Sequence, residues 1–315
     1  MALIHGRGPG ATVGLRADMD ALPMAEATGV EHASKRMGAM PTCGHDGHTA
    51  MLLGAANRLA QTRGFDGTVA LIFQPAKETG EGGAAMCADG MMDRFANAEV
   101  YALHCDPQIG FGEVFTKPGP LMAAVTDFVI HIDGVGGHGA VPQRAAHPVA
   151  AALAIGQALM TIAARNLSAH DAAVLSLTQV HAGTAPNIIP ATAVLGGTIR
   201  TFDAKVEQVI CDRMQAICEG TAAAMGVKAR LVLAPDVRAT INDPACTEFA
   251  IRVAQDVVGA ACVITDRAPY MAADDFSVML KLRPDTYLHL GQGRGPMVHE
   301  TTLDFNDDIA PIGAT

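Results

Sequence analysis

The feature that most constrains the fold is a change of rhythm along the chain. Toward both ends, short apolar runs alternate with helical stretches; in the middle the order becomes strand, helix, strand, strand, helix, strand. Residues 68–73 and 99–104 are apolar runs of the kind that form buried parallel strands. Residues 49–63 carry Met51, Leu52, Ala55, Ala56 and Leu59 at helical spacing. The same alternation returns with a helix at 244–258, a strand at 262–265, a helix at 274–282 and a strand at 286–291. Such alternation predicts an α/β fold with a helix-covered, mostly parallel sheet. The runs at 3–5 and 12–15, joined by Gly6-Arg7-Gly8-Pro9-Gly10, read as a hairpin that opens it.

Between these parts, residues 127–133 alternate, with Phe128, Ile130 and Ile132 on one face. A long apolar helix is expected at 148–165, strands at 173–181 and 193–201, a helix at 206–225 and a strand at 228–233. This is the β-α-β-β-α-β order of a ferredoxin-like unit. The chain is therefore expected to hold an inserted domain at 118–236 within a discontinuous domain built from 1–117 plus 237–315.

Composition narrows the function. A formal net charge of -10 argues against nucleic acid or an anionic membrane as the main partner. No run of about 18 apolar residues suggests a membrane span, and no signal peptide is visible. Seven cysteines, an odd number, point to a reduced, cytoplasmic protein. Trp is absent, which removes the best base-stacking residue.

The strongest local signal is Cys43-Gly44-His45-Asp46-Gly47-His48. A Cys and a His two apart, on a glycine-bearing turn before a helix, can face one metal ion, and a thiolate with an imidazole suits borderline metals such as zinc. Further metal-type donors stand near strand ends: Glu78 after Phe73-Gln74-Pro75-Ala76-Lys77, His104 within Leu103-His104-Cys105, and His299 in a late loop. Taken singly, each has an ordinary structural reading as a solvated acid, a backbone-bonded imidazole or a surface His.

In series they read differently. Gly14-Leu15-Arg16-Ala17-Asp18-Met19-Asp20, the Cys43–His48 turn, Phe73-Gln74-Pro75-Ala76, Gly134-Val135-Gly136-Gly137-His138-Gly139, Asn187-Ile188-Ile189-Pro190, Gly197-Thr198-Ile199-Arg200-Thr201 and Ala273-Asp274-Asp275-Phe276 resemble, in order, the motifs of the M20 family of metallopeptidases and amidohydrolases. The likeness is to the branch of hippurate, indole-acetyl-amino-acid and N-acyl-amino-acid hydrolases. It implies a zinc-exopeptidase-like catalytic domain with an inserted dimerisation or lid domain, acting as a homodimer on a small N-acyl amino acid. It also implies two divalent ions, Zn, Mn, Co or Ni, bridged by Cys43 and held by His45, Glu78, His104 and His299. A pair of ions can deprotonate a shared water and polarise the scissile carbonyl. By the same resemblance, Asp20 or Asp18 orients a ligand, His138 stabilises the oxyanion, and Asn187 and Arg200 bind substrate.

The chain departs from the family pattern in two ways. Two adjacent glutamates are expected after Gln-Pro-Ala, the first as general base and the second as ligand; here they are Lys77 and Glu78. An ammonium cannot accept a proton. Beside two divalent cations it would also be repelled, so Lys77 is expected to swing away or to lose its proton at lower pH than usual, and loss of the base to weaken hydrolysis. The alternative is a catalytically silent member that binds metal and a small carboxylate. Glu81 is the nearby acid that could substitute as base. Second, the family's first helix and strand and its terminal helix have no counterpart here, so the catalytic domain reads as truncated at both ends.

Overall fold

Residues 1–234 and 237–315 are described by a computed structural model. From the N-terminus come β1 (Ala2–His5), β2 (Gly8–Asp18), α1 (His45–Thr62), β3 (Asp66–Gln74), α2 (Gly82–Ala88), α3 (Met91–Arg94), β4 (Asn97–Asp106), β5 (Val114–Phe115) and β6 (Gly119–Met122). Next are β7 (Ala124–Asp133), β8 (Gly137–His138), α4 (Pro148–Leu159), α5 (Ile162–Asn166), β9 (Ala173–Ala182), β10 (Ile188–Ile189), β11 (Thr192–Thr201), α6 (Ala204–Met225) and β12 (Lys228–Leu233). The chain closes with β13 (Thr240–Asn242), α7 (Pro244–Val258), β14 (Val263–Ile264), α8 (Ser277–Leu280), β15 (Asp285–Gly291) and α9 (Ala310–Gly313).

Two compact units result. One comprises Met1–Leu121, Thr240–Tyr270 and Asp274–Thr315; the other comprises Met122–Ala239 with Met271–Ala273. The border expected at 236 falls outside the described residues. Among the described residues no helix is long and apolar enough to cross a membrane.

The first unit holds a seven-stranded sheet in the order β1-β3-β2-β4-β15-β5-β14. The expected hairpin is not there. β3 lies between β1 and β2, antiparallel to the first and parallel to the second. Ala70, Leu71 and Ile72 of β3 are buried, so the more apolar strand takes the inner place. The glycines serve to cross another backbone instead: Gly6 N donates to Gly67 O at 2.9 Å, and a Cβ on Gly6 would lie 2.1 Å from Phe65 O.

β3, β2, β4 and β15 are parallel neighbours, so Gln74, Asp18, Asp106 and Gly291 finish at the same edge of the sheet. That carboxyl edge is where open α/β sheets place their ligands. α7 starts at Pro244 behind Asp243, whose carboxylate accepts from Cys246 N at 2.9 Å. The helix expected at 274–282 shrinks to the single turn α8. Asp274 Oδ1 accepts from Phe276 N at 2.9 Å, and this local bond competes with helix at its start.

The second unit carries an antiparallel sheet in the order β12-β7-β11-β9. Phe128, Ile130 and Ile132 all turn inward, as their alternation predicts, and pack with Leu195, Ile199, Ile155, Leu159, Ile210 and Met214. α6 starts on Asp203, which accepts from Lys205 N, and stops at Gly226 in the left-handed region. The expected long helix is broken: Thr161 Oγ1 donates back to Ala158 O at 2.7 Å, which ends α4, and α5 restarts at buried Ile162. β9 forms one edge of this sheet, with Val180 exposed on it.

Candidate metal centre

The turn before α1 sets the first donors. Gly44 has a φ of 81°, and a Cβ there would meet Cys105 Sγ at 2.4 Å. Only glycine fits that bend, and it turns Cys43 and His45 toward the carboxyl edge of the sheet. Cys43, His45 and Glu78 offer ligand atoms that all lie within 4.8 Å of one another. Cys43 Sγ is 3.4 Å from His104 Nε2, and Glu78 Oε2 is 3.3 Å from His299 Nε2. The five donors named from the sequence are thus brought together in the first unit.

The tautomers suit ligation. His45 Nδ1 donates to the Asp20 carbonyl at 2.9 Å, which leaves Nε2 buried with no hydrogen-bond partner. A buried lone pair without a donor is costly unless something else occupies it. His104 Nδ1 donates to Cys105 O at 2.7 Å, so its Nε2 faces the Cys43 sulfur as an acceptor. Burial, aided by His48 and Lys77, holds His104 well below the ordinary imidazole range, in the neutral form a metal needs. Two imidazoles, a thiol and a carboxylate around an orphaned nitrogen fit a borderline divalent cation.

A second group, Asp18, His45, His48 and His104, is equally close. It is less suited to an ion. His48 Nδ1 donates to Asp18 Oδ1 at 2.6 Å and His48 Nε2 accepts from Cys105 N at 2.8 Å, so both nitrogens are engaged. Asp18 Oδ2 accepts from Arg16 Nη1 at 2.8 Å. Burial would raise the Asp18 carboxyl, but Arg16 and His48 hold it well below its usual range.

Asp20 ties two of the candidate donors together. Its Oδ1 is 3.3 Å from His45 Nδ1, and its Oδ2 accepts from the Glu78 backbone N–H at 3.0 Å. Against the cost of burial, these bonds lower its carboxyl to about 2. Glu78 also falls to about 2, because His299 and then Lys77 outweigh burial. The backbone is bent beside both Glu78 and His299: Ala76 has a φ of 54° and His299 a φ of 69°. Such conformations persist in non-glycine residues where neighbours hold them. The Ala76 carbonyl accepts from Gly82 N at 3.0 Å, and His299 N donates to Thr42 O at 2.7 Å, next to Cys43.

Lys77 does not swing away. Its side chain is 8% exposed, with Nζ 3.2 Å from Glu78 Oε1, 3.5 Å from Cys43 Sγ and 4.0 Å from Asp274 Oδ2. Burial alone would lower its pKa, but the surrounding anions raise it above the ordinary lysine value. The Cys43 thiol is itself pushed well up by burial, so the ammonium rests chiefly on the carboxylates. Glu81 is exposed at the start of α2.

A layer not foreseen from the sequence lies beneath the donors. Buried Arg16 donates to Gln74, Asp18, Asp274 and Asp275; Tyr287 donates to Asp274; Asp275 accepts from Gln74 and from Gly83 N. The available signal was a lone arginine inside the apolar run of β2, since a buried guanidinium requires partners.

His138, Asn187 and Arg200 belong to the second unit. His138 is exposed on β8, opposite Ile188, and its Nδ1 accepts from Ala140 N at 3.0 Å. Gly139 N donates to Asn187 O at 2.8 Å, so these two motifs are neighbours. Arg200 on β11 donates from Nη1 to Met271 O at 2.8 Å.

Comparison with known proteins agrees with this picture. The profile of Peptidase family M20/M25/M40 matches residues 14–315. The chain is 38% identical over 289 residues to N-acetyl-L-cysteine deacetylase of Bacillus subtilis, covering 91% of this chain and 68% of that protein. It is 35% identical to hippurate hydrolase of Campylobacter jejuni, covering 96% and 79%. Among solved structures, the YXEP protein of Bacillus subtilis, described as a dinuclear metal binding peptidase from the M20 family, superposes with a TM-score of 0.83 at 31% identity, covering 99% of this chain and 81% of that one. A profile match over nearly the full length and relatives above 30% identity make this chain a member of Peptidase family M20/M25/M40.

Proposed function

We propose that the chain is a metal-dependent amidohydrolase that cleaves the amide bond of N-acyl amino acids or similar small amides. The observation that carries this reading is the gathering of Cys43, His45 and Glu78 within 4.8 Å around a His45 nitrogen that makes no hydrogen bond among the described residues. The deacetylase and hippurate hydrolase relatives support the reaction class.

Divalent ions, Zn, Mn, Co or Ni, would be held by Cys43, His45, Glu78, His104 and His299 and would supply Lewis acidity toward water and the scissile carbonyl. The chain's own groups do the positioning. Asp20 fixes the His45 ring and the Glu78 backbone together, and the Cys105 carbonyl fixes His104. In this proposal His138 steadies the negative charge developing on the carbonyl oxygen, and Asn187 and Arg200 hold the substrate, Arg200 by its carboxylate. A cytoplasmic homodimer completes the reading; the exposed edge of β9 offers unpaired strand backbone to a second copy.

Lys77 stands at the position read as the general base, so turnover is slow. A specific observation favours a second reading, a silent binder of metal and a small carboxylate: the Lys77 ammonium is buried among the donors. One comparison separates them. Purified protein loaded with zinc or manganese is assayed on N-acetyl and N-benzoyl amino acids beside Lys77→Glu. The hydrolase reading expects weak activity that a chelator removes and that Lys77→Glu raises by about 10²–10⁴. No hydrolysis from either protein, with metal bound, favours the silent binder. Ordinary enzyme rates from the unmodified chain would remove Lys77 from the account.

A further inference from the structure

We propose that Lys77 is a built-in cation of the donor group and restricts it to one divalent ion per chain. The inference rests on the metal reading above and concerns its stoichiometry. It starts from position. Lys77 Nζ contacts the same two atoms, Cys43 Sγ at 3.5 Å and Glu78 Oε1 at 3.2 Å, that an ion shared between the thiolate and the carboxylate would need. Such an ion sits about 2.3 Å from sulfur and about 2.0–2.2 Å from oxygen. One ion joined to these atoms already stands close to the ammonium, and a second sharing either atom would be crowded by both cations. The lysine side chain is 8% exposed, so water screens little of the repulsion.

Charge points the same way. Among the five donors only Cys43 and Glu78 carry negative charge, and only once the thiol has lost its proton; the three imidazoles ligate as neutral groups. Against those two anions stand the Lys77 ammonium and the first divalent ion, already one positive charge in excess. A second, beside a tethered ammonium, is left without compensation. Another carboxylate beside the ammonium, Asp274, is 4.0 Å from Nζ and already accepts from Arg16, Tyr287 and the Phe276 N–H. Nor does the side chain have reason to leave, since Glu78 and Asp274 hold its head.

The test is a metal count that does not depend on activity. The full chain is loaded with excess zinc chloride, freed of unbound ion by gel filtration and measured by elemental analysis, beside Lys77→Leu, Lys77→Gln and Lys77→Arg, with circular dichroism confirming that each is folded. We expect one zinc per chain in the unmodified protein and in Lys77→Arg, and two in Lys77→Leu and Lys77→Gln. Two zinc ions in the unmodified protein, or one in every folded variant, would overturn the role given to Lys77 and leave the hydrolase reading standing. No zinc in any of them would overturn both.

Discussion

Arg16 Nη2 donates to Asp274 Oδ1 over 3.1 Å, joining residues 258 positions apart beneath the donor group. The same guanidinium reaches Asp18 at 2.8 Å, Gln74 at 2.9 Å and Asp275 at 3.4 Å, and all five side chains are buried. Removing the cation strands three carboxylates in a site that cannot solvate them. Arg16→Met is expected to destabilise the fold by about 3–5 kcal/mol, the cost of leaving one side of a buried ion pair uncompensated. Chemical denaturation of the two proteins checks this; a loss under about 1 kcal/mol would mean that the carboxylates simply take up protons.

Asp20 holds two prospective ligands without being one itself. Asp20→Ala should weaken zinc binding by about 10–100-fold, as loss of groups supporting metal ligands generally does. Its melting temperature without metal should change little. Zinc titration by calorimetry reads the affinity, and unchanged affinity would reduce Asp20 to a loop fastener.

Ligand binding should stabilise the native chain. With zinc at a hundred times its Kd, unfolding is expected to become harder by about 2.7 kcal/mol, since the unfolded chain offers no assembled site. The gain should vanish in Cys43→Ala and shrink in His299→Ala. Thermal melts with and without EDTA decide it: equal gains in all three proteins would place the bound zinc elsewhere.

His289 sets a pH dependence of known sign. Burial pushes its imidazole down to about 4, with the Asp106 carboxylate 3.7 Å from Nδ1 opposing that shift. In the unfolded chain the ring takes a proton near pH 6.5; in the native chain it does not until about pH 4. The unfolded state thus binds more protons in that window, and stability is lost as pH falls through it, by up to about 1.4 kcal/mol per pH unit. Asp285, which burial pushes up to about 8, contributes the opposite slope, since its protonated form favours the native state and that advantage fades as pH rises. His289→Phe isolates the first effect. The ring already stacks on Phe115 at 5.9 Å, so the replacement keeps the shape. The variant should gain on the unmodified protein as pH drops from 6.5 to 4, and a constant gap would contradict the assignment.

The reach of sequence reading followed the physics of each element. The alternation at Phe128, Ile130 and Ile132 was readable because one face of an antiparallel strand packs on helices. The glycine run at 6–10 misled, because the same residue type serves a tight turn and a close backbone crossing, and only the place of β3 tells them apart. Cys43, His45, Glu78 and His104 stand in short motifs that could be read singly, whereas His299, in a loop without one, joined them only through the family resemblance. The Arg16 layer was not: its partners are single residues in segments that come together only when the sheet forms. Lys77 stands out in the sequence, but its inward position depends on Asp274 as well as on the adjacent Glu78, and sequence distance conceals the first of these.

The left-handed turn at Ala76 makes position 77 a socket whose shape is settled before its occupant is chosen. The carbonyl of Ala76 is locked by Gly82 N, where a Cβ would collide with Pro75 O, so the scaffold around the socket leaves little room to drift. Exchanges at this one residue therefore rewrite the local electric field while leaving the architecture alone.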